Sequence, residues 1–244
     1  MALDRGTTTF TWYGHSCWEV ATPGGKTILF DPWFANPRSP KSQDQVERCD
    51  LLLVSHGHFD HMGTGDAVAL ARRLAPTWPC IHELSLFLGD LDIPGELIGM
   101  NKGGTVVVEG ISVTMVPALH SGGDREGGAA ATIELGEPVG FMVTLENGFR
   151  FYFAGDTFVT GDMRLWAELF RPELAMLPIG GHFTMDPRAA ALAVELLGVK
   201  HVLPMHYGTF PILAGTPQQL RDELATRGLD GVTVHEPEPG ESVN

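Results

Sequence analysis

Lysine is scarce in this 244-residue chain, and Lys and Arg together number 16 against 30 Asp and Glu. The formal net charge is −14, and no run of basic residues occurs anywhere. Binding a nucleic-acid backbone draws on clustered Lys and Arg, so no nucleic-acid partner is expected. By itself the acidity reads as a solubility feature. Cysteine is equally sparse: Cys17, Cys49 and Cys80 are odd in number and form no C-x-x-C spacing. Neither a disulfide framework nor a cysteine zinc site follows from them, and a reducing, cytoplasmic compartment fits. No apolar run approaches the ~20 residues of a membrane-spanning helix, and residues 1–5 carry no secretion-signal pattern. Linkers, sequence repeats and low-complexity segments are also missing. One domain over residues 1–244 is therefore expected, with no membrane partner and with homo-oligomerisation left open.

What the chain does contain is histidine in one telling place. His56-Gly57-His58-Phe59-Asp60-His61 sets four metal-capable side chains within six residues, directly after the run Leu51-Leu52-Leu53-Val54-Ser55. Imidazole nitrogen and carboxylate oxygen suit zinc, manganese and iron. On a helix, positions two apart do not share a face. On a strand, His56, His58 and Asp60 would align but His61 would point away. A loop between a buried strand and a helix fits better, with Gly57 relaxing the turn. Such a loop can aim His56 and His58 at one ion, and Asp60 and His61 at another.

Three more ligand types end apolar runs further along: His120 after Ile111–Leu119, Asp156 after Arg150–Ala154 and His206 after His201–Met205. Side chains on loops set by a rigid sheet are what a pre-organised site requires. Strands are expected at 10–13, 17–20, 27–30, 51–54, 105–108, 111–116, 130–135, 139–144 and 150–154, with hairpin turns at Pro23-Gly24-Gly25 and Asn147-Gly148. Helices are expected at 66–75, 83–88, 163–170, 187–197 and 217–227. Pro187 and Pro217 suit first-turn positions behind the caps Asp186 and Thr216. Strands with flanking helices in both halves suggest two sheets face to face with helices outside.

These motifs resemble the metallo-β-lactamase-fold superfamily, whose pattern is His-x-His-x-Asp-His followed by a His, an Asp and a last His. The chain is similar, more narrowly, to a branch of metal-dependent hydrolases related to L-ascorbate-6-phosphate lactonases. The similarity spans the chain: Tyr13-Gly14-His15-Ser16, Phe30-Asp31-Pro32, the metal segment, Asn101-Lys102-Gly103-Gly104, Pro117-Ala118-Leu119-His120-Ser121, Ala154-Gly155-Asp156-Thr157, Gly180-Gly181-His182-Phe183 and Pro204-Met205-His206-Tyr207. The resemblance implies an α/β fold, a four-layer αββα sandwich of two packed mixed sheets with outer helices. It implies two divalent metal ions, zinc by default and manganese as the competitor. His56, His58 and His120 would hold the first; Asp60, His61 and His206 the second; Asp156 would bridge. His58 stands where relatives with di-iron redox centres tend to carry Glu, which favours hydrolysis.

The implied chemistry is attack by metal-activated water, with Asp60 and Asp156 helping to hold and orient it. The substrate expected is a small, anionic ester, lactone, amide or phosphodiester. His15 reads either as a substrate contact or proton donor at the site mouth, or as a satisfied structural histidine. His182 reads as a general acid for the leaving group, or as pocket wall. Asp31 reads as structural, with a hydrogen bond to a ligand loop as its functional form. Tyr207 reads as packing, and His82, His201 and His235 as non-functional. The glycine-rich segment 121–128 is expected to shape the pocket, and Lys102 and Arg125 are the basic residues in loops near it. The competing readings are a nuclease of the RNA-processing type, which lacks the basic surface it needs, and a non-catalytic metal-binding scaffold.

Overall fold

The computed structural model describes residues 8–63, 65–124 and 133–244. The side chain of residue 124, Arg125 and the rest of the glycine-rich segment to 128 lie outside that description, as do residues 130–132 of the strand expected at 130–135.

The chain builds two seven-stranded sheets. In the first half the strands are β1 (Thr9–Trp12), β2 (Trp18–Ala21), β3 (Thr27–Phe30), β4 (Leu51–Leu53), β5 (Thr77–Ile81) and β6 (Glu96–Met100), with α1 (Asp66–Leu74) and α2 (His82–Gly89) between them. In the second half come β7 (Thr105–Val108), β8 (Ile111–Pro117), β9 (Gly123–Asp124), β10 (Ile133–Glu134), β11 (Val139–Thr144) and β12 (Arg150–Phe153). The chain continues with α3 (Asp162–Phe170), β13 (Leu174–Pro178), α4 (Pro187–Leu197), β14 (His201–Met205), α5 (Pro217–Thr226), β15 (Thr233–Val234) and β16 (Ser242–Val243). The first sheet runs β16-β1-β2-β3-β4-β5-β6 and the second β15-β14-β13-β12-β11-β8-β7; β9 and β10 pair separately.

Both sheets follow one plan. Strands β1-β2-β3 pair antiparallel, and β3-β4-β5-β6 pair parallel. Likewise β8-β11-β12 pair antiparallel, and β12-β13-β14-β15 pair parallel. A parallel strand buried on both faces reads as a continuous apolar run. Strands β4, β13 and β14 are indeed buried at every residue. Edge-ward β1 and β2 alternate buried with half-buried positions instead, the pattern of a sheet with one wet face.

Aromatic rings join the sheets. Phe10 meets Phe151 edge-on at 5.2 Å, and Phe30 stacks on Phe153 at 4.6 Å. Such pairs add about 0.5–1.5 kcal/mol beyond area burial. The helices start as the sequence predicts. Asp186 accepts from Ala189 N–H at 2.8 Å, and Thr216 with Gln219 completes a capping box ahead of Pro217. The layers are those of the αββα sandwich expected from the sequence. Among the described residues no helix is long and apolar enough to cross a membrane.

The sheet plan decides where chemistry can occur. The metal segment follows β4, His120 follows β8, Asp156 follows β12, His182 follows β13 and His206 follows β14. All leave their sheets at C-terminal strand ends.

Candidate metal centre

The metal segment is not a plain loop. After His58 it closes into a π-helical turn, Phe59–Gly63, in which the N–H groups of His61 and Met62 both donate to His58 O at 3.0 and 2.9 Å. That turn rotates Asp60 and His61 inward while Phe59 faces out. Gly57 is required for close approach, not for an unusual turn. A Cβ there would lie 2.5 Å from Leu135 Cδ1 and 3.0 Å from the backbone oxygen of Gly122.

Two groups of donors result. The ligand atoms of His56, His58 and His120 lie within 4.8 Å of one another, and so do those of His15, Asp60, His61 and His206. His56 Nε2 and His58 Nδ1 approach to 2.8 Å. Asp156 stands between the groups. Its Oδ2 is 3.5 Å from His120 Nε2, 3.3 Å from His61 Nε2 and 3.0 Å from His206 Nε2. The seven residues expected from the sequence are thus brought together.

One buried carboxylate orients two of these rings. Asp31 accepts from Ser55 N–H, Ser55 Oγ–H and His61 Nδ1–H, each at 2.7 Å. An ionised carboxylate only accepts, so Nδ1 of His61 carries a proton and Nε2 is the nitrogen that faces the centre. Ser55 spends its one hydroxyl proton on Asp31. It must therefore accept from His56 Nδ1, 3.0 Å away, which turns the His56 Nε2 lone pair inward as well. Gly155 lets this arrangement close, because a Cβ there would lie 2.5 Å from Ser55 Cβ.

His15 is fully buried and lies behind Asp60. Burial, with His206 next in effect, lowers its pKa to about 4, so the ring is neutral at pH 7. A neutral ring donates once: Nε2–H to Asp60 Oδ2 at 3.2 Å, leaving Nδ1 to accept from Thr209 Oγ1 at 3.0 Å. Of its two sequence readings, this geometry gives the satisfied histidine a specific partner. Thr209 and Ser55 carry no sequence signal that would have singled them out.

The charges suit a cation. Burial alone would raise Asp156, but His206 and His61 hold it well below the usual carboxylate range. Burial would also raise Asp60, and His61 and His15 override it to keep the group ionised. His61 resists burial in the opposite sense: Asp156, Asp31 and Asp60 raise it well above the ordinary histidine value. Burial and the neighbouring His61 hold His56 well below that value. Asp156 Oδ1, His61 Nε2 and both ring nitrogens of His206 are buried with no aligned hydrogen-bond partner. Buried polar atoms left so cost about 1–3 kcal/mol each, more when charged. A divalent ion among nitrogen and oxygen donors would offset that cost, so the residues present fit such a group.

His182 lies apart from the seven. It is exposed, meets Phe183 edge-on at 4.4 Å and lines an open cavity of about 570 Å³ with Asp186, Arg188, Ile212 and Glu223. None of the seven converging side chains lines that cavity. Yet its backbone is strained in company with theirs. Among the eight described non-glycine residues with positive φ are His15, Asp31, His182 and His206. Such conformations cost of order 1–3 kcal/mol and gather at functional sites. Tyr207 behaves as packing, stacked on Trp12 at 5.1 Å. His201 and His235 lie 3.0 Å apart; β14 carries His201 at its start and leads to His206 at its far end. Lys102 is taken up by an ion pair with Glu137.

Comparison with known proteins places this arrangement. Residues 9–206 match the model of the β-lactamase superfamily domain. A metal-dependent hydrolase of the UPF0173 group from Koribacter versatilis is 45% identical over 233 residues, covering 95% of this chain and 96% of that one. Another from Rubrobacter xylanophilus is 45% identical over 98% of this chain and 97% of its own length. Among solved structures, a metallo hydrolase from the archaeon Ignicoccus hospitalis shares 34% identity with a TM-score of 0.85, covering 97% of each chain. The relation to ascorbate-6-phosphate lactonases rests on the sequence motifs alone. With its strand-end cluster of histidines and aspartates, the chain belongs to the β-lactamase superfamily and, within it, to the UPF0173 metal-dependent hydrolases.

Proposed function

We propose that this protein is a dinuclear-metal hydrolase of a small, anionic ester, lactone, amide or phosphodiester. The observation that carries the reading is the position of Asp156 Oδ2, within 3.5 Å of a ring nitrogen from each donor group. His56, His58 and His120 would hold one ion; Asp60, His61 and His206 the other; Asp156 both. Zinc is the default for this donor set and manganese the competitor. When bound, two such ions supply an acidified water and polarise the scissile group.

The chain's own residues do the positioning. Asp31 holds the His61 proton on Nδ1 directly and that of His56 through Ser55, so both rings aim Nε2 at the centre; His61, protonated in the metal-free site, would give up its Nε2 proton when a cation binds. His15 pins Asp60 from behind and stays neutral, which leaves the carboxylate its full charge. Asp60 and Asp156 remain ionised and can orient a nucleophile by accepting a hydrogen bond from it. His182 would deliver a proton to the leaving group only of a substrate long enough to reach from the metal ligands to the cavity that His182 lines. The small substrate, rather than a nucleic acid, follows from the scarcity of unpaired basic groups. In the described loops Lys102 is paired with Glu137, and Arg38 with Glu238.

Elemental analysis of the purified protein tests the metal count. About two zinc or manganese ions per chain, falling in Asp156→Ala, is the expected result. A screen of lactones, esters and phosphodiesters on the loaded protein tests the reaction. One ion per chain, with turnover intact in Asp156→Ala, refutes the dinuclear reading.

A further inference from the structure

Three of the thirteen phenylalanines are exposed: Phe59 at 46%, Phe158 at 54% and Phe183 at 56%. Two of them sit at the candidate metal centre, and the third lies against His182 at the separate cavity. Phe59 separates His58 from Asp60, Phe158 follows Asp156 by two positions and Phe183 follows His182. Leu119, beside His120, is exposed as well, and Phe158 N–H donates to Leu119 O at 3.2 Å. Random placement of apolar surface needs no explanation, but a patch gathered on one site does.

The patch has depth on one side. Phe59 meets Trp33 edge-on at 5.5 Å, and Trp33 lies 5.9 Å from Phe210. Trp33 also meets His15 edge-on at 5.1 Å, and His15 bonds to Asp60. A continuous aromatic wall therefore runs from solvent to a carboxylate of the candidate metal centre. Exposed Leu119 and Phe158, joined by their backbone hydrogen bond, flank His120 and Asp156 in the chain. Binding sites of this build, apolar walls around a few convergent polar groups, take ligands with an apolar body and a polar head.

Taking the hydrolase reading as its premise, we infer that the substrate carries an apolar group of about aromatic size beside the bond that is cut, seated on Phe59 with Trp33 behind it. The polar head goes to the metal ligands, and the apolar group sets specificity.

Carboxylic acids that cannot be hydrolysed give a direct binding test. Zinc-loaded protein is titrated calorimetrically with acetate and with phenylacetate. Burying a ring against an aromatic wall should make phenylacetate bind about tenfold tighter or more. Phe59→Ala should shrink the ratio toward one, Phe59→Leu should keep part of it, and Leu86→Ala, at an exposed site on α2, should leave it unchanged. Metal content and circular dichroism of each variant show that the fold is retained. Equal affinities for the two acids, or a preference indifferent to Phe59→Ala, overturn the apolar seat. In that case metal uptake and turnover leave the hydrolase reading standing. Failure to take up metal refutes the hydrolase reading instead, and the seat falls with it if neither acid binds. A dimer that Phe59→Ala dissociates would assign the patch to self-association and also overturn the seat.

Discussion

Asp31→Asn is the substitution that discriminates most sharply, because it changes one atom and inverts a hydrogen-bond network. Asp31 accepts three bonds at 2.7 Å and is fully buried. Asparagine can keep the acceptor that serves Ser55 N–H. Its amide nitrogen then faces two donors, Ser55 Oγ–H and His61 Nδ1–H. Hydrogen bonds to a charged group contribute about 1.5–3 kcal/mol each, so losing two costs about 3 kcal/mol or more. At about 2–4 °C per kcal/mol for a chain of this size, melting of the metal-free protein should fall by about 6–12 °C.

Metal affinity should fall for a separate reason. Deprived of its acceptor, a neutral His61 ring is driven to carry its proton on Nε2, the atom that faces Asp156. Binding a cation must then displace that proton or flip the tautomer. Loss of a partner behind a metal ligand typically weakens binding about 10–100-fold. Chelator competition measures the affinity, and two-dimensional imidazole 15N spectra of the zinc-loaded proteins report the tautomer directly. Ser55→Ala is the graded control, since it removes the link to His56 and spares the bond to His61. Refutation is plain: Asp31→Asn with unchanged zinc affinity and an unchanged His61 tautomer. A fall in melting temperature alone would make Asp31 a scaffold residue and nothing more.

Other expectations follow from the same geometry. Asp156→Ala or His58→Ala should lose metal by elemental analysis and abolish turnover, whereas His182→Ala should retain metal and slow the reaction. Equal metal loss in all three would refute that division. Gly155→Ala should destabilise the fold by about 2 kcal/mol or more in denaturant titration, because φ is +58° and the new Cβ would press on Ser55 Cβ and Val139 O. The three thiols should resist a disulfide reagent at pH 8 in the native protein and react fully once unfolded. Burial raises Cys49 and Cys80 to about 12 and Cys17 well above its usual value. A raised thiol pKa keeps the protonated, unreactive form below that pH, so fast native labelling would refute the burial.

Part of the fold and of the site is legible in the sequence, and part is stored only in three-dimensional contacts. The seven converging side chains were legible because their residue types and spacings are the chemistry itself. Strong local signals also held: Thr27–Phe30, Thr105–Val108, Val139–Thr144 and Pro187–Leu197 occupy the elements expected of them. Seven strands fall outside the expected list: β5, β6, β9, β13, β15, β16 and β14, the last marked in the sequence only as the apolar run before His206. Strand β5 carries Pro79 in its middle, against the usual exclusion of proline from sheet interiors. An apolar run such as β13 has no alternation to distinguish strand from buried helix. Strand β6 is an edge strand without a clean alternation of buried and exposed positions, and β15 and β16 are two-residue pairings defined only by their neighbours.

The site divides along the same line. Donor atoms are a property of residue type, but their orientation is a property of the fold. Nothing in Asp31, Ser55, His15 and Thr209 as a list says that the first pair sets two imidazole tautomers and the second pins a carboxylate. Phe59 shows the converse most clearly. It lies inside the most conspicuous motif of the chain, and there it reads as a spacer between ligands. Only the π-helical turn, which sends Asp60 and His61 inward, makes the intervening ring point out against Trp33. The residue that separates two ligands is thereby placed to touch what they act upon. Spacing in this motif is therefore a specificity element as well as a coordination element.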